Sequence, residues 1–212
     1  MQHLKGKFIV LDGPEGCGKS TQLRLLADYL RSNHVDVTTV RDPGATRIGE
    51  QVRAILLNPE NTEMGMRCEM MLYMSARAQM MKEVIAPALA QGKCVLCDRF
   101  VSSTLAYQLG GDGLTFEEIH ATADIAISHR WPDLTIILDI APEKSFARLN
   151  RAKDRLEQRP LAYHQQVYAN YLAQAKADPA KYRLVNADAD LHEVHRAIVQ
   201  CLSLSSPGFT SL

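Results

Sequence analysis

Strong net charge is the first thing this chain lacks. Its 24 Lys and Arg residues balance 24 Asp and Glu, so no global basic field exists to hold a nucleic-acid duplex or an anionic membrane surface. Any anion site must be local, and neither a nucleic-acid polymer nor a membrane is expected as a partner. Cysteine is sparse: five residues, an odd number, lie scattered at Cys17, Cys68, Cys94, Cys97 and Cys201, which is not a disulfide framework. Cys94 and Cys97 have CxxC spacing, but strand geometry sends positions i and i+3 to opposite faces, and there is no second CxxC. Reduced, buried thiols are expected. Long apolar runs are missing as well. The segment MQHLKGKFIVLDG offers about five apolar residues before a charge, too few for a signal-peptide core or a membrane span, so a cytoplasmic protein is expected. No fixed-period repeat or low-complexity linker interrupts the 212 residues, a length that fits a single domain with a substantial core. Only the tail, 204–212, reads as loosely held.

What is present is an alternation. Short apolar runs at Phe8–Leu11, Val37–Val40, Cys94–Cys97, Leu134–Leu138 and Leu184–Val185 are separated by amphipathic stretches. This predicts an α/β fold, a five-stranded parallel sheet flanked by helices. The longest helical candidate covers Arg67 to Gln91 and closes at Gly92, a residue suited to a helix C-terminus. Its methionines, Met70, Met71, Met74, Met80 and Met81, read as core or subunit interface. Tyr73 and Arg77, four apart, share one helix face; taken alone, they read as an exposed surface pair. Between Arg148 and Arg159 the chain carries five cationic residues and two acids, taken alone a solvated helix face.

One motif carries specific chemistry. Gly13-Pro-Glu-Gly-Cys-Gly-Lys-Ser20 fits G-x-x-x-x-G-K-[ST] and lies between a strand-like and a helix-like segment, where this phosphate-binding loop works. Its glycines let successive backbone N–H groups point into one concavity, and the next helix turns its positive end to the same anion. Lys19 adds a point charge, and the Ser20 hydroxyl can join a Mg²⁺ shell. Phosphoryl transfer also needs an acid at the end of a neighbouring buried strand. Asp98 supplies one, followed by Arg99 for a second phosphate; Asp12 and Asp139 also end strands and are rivals for the metal role.

The segments GPEGCGKST, RDPGATRIGE, YMSARAQ, DRFVSSTLAYQ and KDRLE resemble, in order and spacing, the thymidylate kinase family, and the similarity runs through almost the whole chain. The resemblance implies a P-loop NTPase fold with a short mobile lid at about 149–161, and a homodimer. It implies transfer of the γ-phosphate of ATP to dTMP, giving dTDP, with Mg²⁺ held by Ser20 and Asp98. On the ATP side it places Gly13, Pro14, Glu15, Gly16, Cys17, Gly18, Lys19, Ser20 and Thr21, with Arg148 against adenine and Asn186 and Ala187 in the adenine loop. On the dTMP side, Glu15 resembles the carboxylate facing the sugar hydroxyl, and Arg41 and Arg53 resemble acceptor-side residues. Tyr73 stands where the family stacks a ring on thymine, Arg77 where it reads O4, and Thr104 and Gln108 near the base edge. Arg99 resembles the arginine on the acceptor phosphate, and Tyr107 the ring that crowds a ribose 2′-hydroxyl. Lys19 and Arg99, with Arg151, Lys153 and Arg155 from the lid, form the implied catalytic set.

Some members carry an arginine at the position held here by Gly16; this chain resembles those that leave glycine there and put cations in the lid. An arginine introduced at Gly16 is expected either to replace lid charge or to crowd the cradle. Other departures are Asp42 and Ala45 in RDPGAT, Ser102 where an aspartate is common, and Leu109 and Asp112. Two other functions fit a phosphate-binding loop. A guanine-nucleotide switch usually carries Asn-Lys-x-Asp, and Leu184-Val-Asn-Ala-Asp188 lacks the lysine. A deoxynucleoside kinase would have little use for Arg41 and Arg99, which suit an acceptor that already bears a phosphate.

Overall fold

The computed structural model describes residues 1–149, 152 and 154–203; Arg151, Lys153 and the tail 204–212 thus lie outside the described residues. In chain order the elements are β1 (Phe8–Asp12), α1 (Lys19–Ser32), β2 (Val37–Arg41), α2 (Arg47–Leu57), α3 (Met66–Met80), α4 (Ala86–Ala90), β3 (Cys94–Asp98), α5 (Val101–Tyr107), α6 (Phe116–Ala126), β4 (Leu134–Asp139), α7 (Pro142–Phe146), α8 (Leu161–Ala177), β5 (Tyr182–Asn186) and α9 (Leu191–Ser203). The strands form one sheet in the order β2-β3-β1-β4-β5, every pairing parallel.

Alternation along β1 explains both layers. Ile9 and Leu11 point to a core filled by Leu26 and Leu30 of α1 and Val194 and Ile198 of α9. Phe8 and Val10 point to the other, with Met70 and Met74 of α3 and Ile119 of α6. Helices on both faces bury β1 and β3 throughout, as a parallel sheet requires. Cys94 belongs to the first core and Cys97 to the second, which places the two thiols on opposite faces. Burial pushes the Cys94 thiol up to about 12.

Each expected strand gains a polar residue at its C-terminal end: Asp12, Arg41, Asp98, Asp139 and Asn186. These ends share the edge of an open α/β sheet outside which ligands bind.

The long helix is present as a continuous helical run with a defect. A wide turn over Met81–Ile85 joins α3 to α4, and the Ala86 N–H donates to the Met81 carbonyl. Pro87 follows immediately and has no N–H to give its own turn. Met70, Met74, Met80 and Met81 are core residues, whereas Met71 is 53% exposed.

Between β2 and α2 the chain turns through Ala45 at φ 62°. A left-handed backbone costs a residue with a Cβ roughly 1–2 kcal/mol. The turn persists because the Glu50 carboxylate accepts the Ala45 N–H at 3.0 Å and Arg41 at 3.1 Å. Ala45→Gly should therefore raise the unfolding free energy by about 1 kcal/mol, measured by urea denaturation at unchanged m-value. Equal or lower stability would contradict the strain.

Candidate active site

The loop from Gly13 to Gly18 is shaped by contacts that leave no room for a side chain at Gly13 or Gly16. Gly13 sits at φ +134°, where a Cβ would stand 2.7 Å from the Leu138 carbonyl oxygen; Gly16 sits at φ +71°, where a Cβ would stand 2.2 Å from the Ser145 carbonyl oxygen. An arginine at position 16 would collide with backbone, so of the two outcomes considered for it the structure favours crowding. Lys19 opens α1, and its ammonium donates to the carbonyls of Gly13 and Pro14 at 3.0 and 2.6 Å. Cys17 turns its thiol into the core beneath the loop.

The rival strand-end acids now separate. Asp98 Oδ2 accepts the Ser20 hydroxyl at 2.6 Å, and both residues line the cradle cleft with Gly16, Gly18, Lys19 and Thr21. Asp139 accepts Tyr168 OH at 2.7 Å. Asp12 is fully buried and accepts from the Gly13 N–H, Ser102, Ser103 and Tyr171 at 2.9, 2.5, 2.8 and 2.7 Å. Its lone pairs are taken, and the Ser102 hydroxyl stands where a second carboxylate would meet Asp12. Among the described residues no group of three or more His, Cys, Asp or Glu converges. One hydroxyl beside one carboxylate suits Mg²⁺, which keeps waters and takes phosphate oxygens rather than a full protein cage.

Arg99 follows β3 at φ 69°, a strained setting of the kind found at functional sites. Its Nη1 donates to the Gly13 carbonyl at 3.0 Å, to Ser103 at 3.1 Å and to Tyr171 at 3.2 Å, with Asp12 at 3.4 Å. Its Nη2 donates to Glu15 at 2.6 Å. Burial alone would raise the Glu15 carboxyl, but Arg99 and Lys19 beside it bring it down to about 2. Glu15 also accepts the Tyr107 hydroxyl at 3.3 Å, and that ring lies under the Arg99 guanidinium, 5.4 Å from its centroid.

A second, narrow cleft is lined by Glu15, Asp42, Tyr73, Arg77, Arg99, Ser103, Thr104, Tyr107, Gln108 and Leu156. Arg77 is 0% and Tyr73 8% exposed, so the surface-pair reading fails. Arg77 donates through Nε to Asp42 at 2.7 Å, through Nη1 to Thr104 at 2.8 Å and through Nη2 to the Phe100 carbonyl at 2.8 Å. The residues expected at the base thus converge, while Arg41 and Arg53 line the cradle cleft instead. The two clefts share Glu15, Asp42 and Arg99. Arg148 donates to the Ala187 carbonyl at 3.0 Å, with Asn186 adjacent at the end of β5, so the three residues expected beside adenine stand together.

Arg155, expected as a lid member of the catalytic set, makes its bonds away from the cradle. Its Nε donates to the Leu56 carbonyl at 2.8 Å and its Nη2 to Glu69, because a buried carboxylate on α3 needs cations within reach. Arg151 and Lys153 lie outside the described residues. Glu69 was not singled out from the sequence, although Glu69, Tyr73 and Arg77 recur every four residues on α3, the one charged start of a buried stripe. Asp42 and Tyr171 were likewise missed as site residues; Asp42 follows the end of β2 within RDPGAT, a local signal like that of the other strand-end acids, whereas Tyr171 has none, since its partners Asp12 and Ser103 are far away in the chain.

The family model described as thymidylate kinase matches residues 11–198. A protein from Exiguobacterium sibiricum named thymidylate kinase is 41% identical over 90% of this chain and 91% of its own. One from Pseudomonas syringae pv. tomato with the same name is 43% identical over 94% of this chain and 96% of its own. The crystal structure of thymidylate kinase from Ehrlichia chaffeensis superposes with a TM-score of 0.75 at 29% identity, covering 93% of this chain and 98% of that one. Parallel sheet, phosphate-binding loop and adjoining cleft agree with that match, and the chain belongs to the thymidylate kinase family.

Proposed function

We propose that this kinase phosphorylates dTMP to dTDP by holding ATP on the Gly13–Thr21 loop and dTMP in the adjoining cleft. The observation that carries the reading is the shared wall: Glu15, Asp42 and Arg99 line both clefts, so donor and acceptor phosphates meet beside one fixed guanidinium. Tyr73 stacks on the base, Arg77 and Thr104 face its edge, and Tyr107 with Glu15 holds the sugar. Arg99 takes the acceptor phosphate, with Arg41 and Arg53 completing the cationic wall. Lys19 follows the transferring phosphoryl group, and Arg148, Asn186 and Ala187 flank adenine. Ser20 and Asp98 would hold Mg²⁺, which when bound neutralises charge on the donor phosphates.

Transfer between two bound nucleotides depends on alignment and on cations aimed at the developing charge. Since Gly16 admits no side chain, closing cations come from the 149–161 segment, with Arg151 and Lys153 as the proposed donors and Arg155 anchoring the segment to Glu69. A single domain, a homodimer and a cytoplasmic location complete the reading. No helix among the described residues is long and apolar enough to cross a membrane, and Met71 leaves an apolar side chain on the exposed side of α3.

Purified protein with ATP, Mg²⁺ and either thymidine or dTMP tests the reaction directly. Product from dTMP alone is expected; phosphorylation of thymidine, or ATP hydrolysis without transfer, would contradict it.

Arg77 gives a sharper test. Arg77→Ala should weaken dTMP by about 1–3 kcal/mol with the ATP KM nearly unchanged. It should also lower stability by roughly 3–5 kcal/mol, because Asp42 is left buried and unpaired. Arg77→Lys keeps the charge near Asp42 but not the fork, so it should recover part of the stability while dTMP binding stays weak. Equal damage to ATP and dTMP binding would put Arg77 on the wrong side of the reaction.

A further inference from the structure

One buried carboxylate beside the acceptor cleft has no part in the reaction as described. Glu69 on α3 is 0% exposed. Its Oε1 accepts Nε2 of Gln108 at 2.6 Å. Its Oε2 accepts Arg159 at 3.1 Å and also Arg155. The next residue, Leu156, packs with Tyr73. Glu69 therefore joins the cleft wall to the segment after position 153.

The chemistry of that contact is asymmetric. A carboxylate held between two guanidinium groups only accepts hydrogen bonds, whereas an amide has one accepting and one donating end. Facing Glu69, the Gln108 amide must present its nitrogen, which turns Oε1 the other way. Gln108 lines the same cleft as Tyr73 and Arg77, and its Oε1 is buried with no partner among the described residues. Arg77, by contrast, can only donate. Four of its five N–H groups are committed to Asp42, Met74, Thr104 and the Phe100 carbonyl, which leaves one on Nη2, so the cleft has one donor and, in the Gln108 oxygen, one acceptor to offer a base edge. A pyrimidine with a carbonyl at position 4 and a hydrogen on N3 matches this pair. One with an amino group at position 4 and a bare N3 presents the reverse.

We infer that Glu69 is a positioning residue for pyrimidine specificity: it locks the Gln108 amide with its oxygen toward the ligand, so that the cleft takes 4-oxo pyrimidine nucleotides and rejects 4-amino ones. The inference rests on the proposed binding of the acceptor base in this cleft.

Glu69→Gln tests it, since the new amide can donate or accept and releases Gln108 from its fixed orientation. The readout is kcat/KM for dTMP, dUMP and dCMP. The dTMP to dCMP ratio should fall by about tenfold or more, while the dTMP to dUMP ratio stays constant because those bases share the same edge. Loss of pairing to Arg155 and Arg159 slows all three acceptors alike and cancels in the ratios. A purely structural role would leave both ratios at their wild-type values and overturn the inference. Gln108→Met keeps Glu69 and its arginines and removes the amide. The same collapse of the dTMP to dCMP ratio is expected there, and an unchanged ratio overturns the inference even if Glu69→Gln does not fold. Wild-type protein that uses dTMP and dCMP equally also overturns it. Wild-type protein inactive on dTMP removes the underlying reading instead.

Discussion

A carboxylate sealed from water must find its compensation inside the protein, and Asp12 draws it from the whole depth of the site. The Gly13 N–H, the hydroxyls of Ser102 and Ser103 on α5, the Tyr171 hydroxyl on α8 and the Arg99 guanidinium all turn toward it. An uncompensated buried charge is strongly destabilising, so these donors are held where Asp12 needs them. Arg99 then reaches Glu15 from a fixed base, and the phosphate-binding loop starts from a fixed first residue. The phosphate-binding loop and the adjoining cleft are two sides of this one charge balance.

From it follows a gradient suited to a nucleotide. The inner end of the acceptor cleft is aromatic and amide-lined, with Tyr73, Thr104 and Gln108. The cradle end gathers Lys19, Arg41, Arg53 and Arg99 against Glu15, Asp42 and Asp98. A base with a phosphorylated sugar has that same division, apolar and directional at one end, densely anionic at the other. Electrostatic attraction favours that orientation; under the proposed function, the donors and acceptors at the inner end would then select among pyrimidines.

Much of this was legible in the chain. Strands short enough to need cover on both faces gave the sheet, and Gly13 to Ser20 marked the strand-to-helix turn that forms the loop. The four-residue spacing of Tyr73 and Arg77 was visible, but whether that helix face was buried depended on Asp42 and Phe100, which approach only after folding. The same limit applies to the strand-end acids. Asp12, Asp98 and Asp139 are alike in sequence, and only neighbours far along the chain saturate Asp12 and pair Asp98 with Ser20. Gly16 reads as a permissive loop position until the Ser145 carbonyl is seen against it. Arg155 reads as one lid cation among several until Glu69 claims it. Motifs carried the chemistry, then, while the division of labour among like residues was set by long-range packing.

If Asp12 holds both halves of the site together, one substitution should loosen both. Asp12→Asn keeps the shape but removes the charge and turns an N–H₂ toward donors. Titration calorimetry of that variant with dTMP and, separately, with a non-hydrolysable ATP analogue should show both affinities reduced, each by on the order of tenfold or more. Near-normal binding of both ligands, or loss of one with the other untouched, would contradict the account.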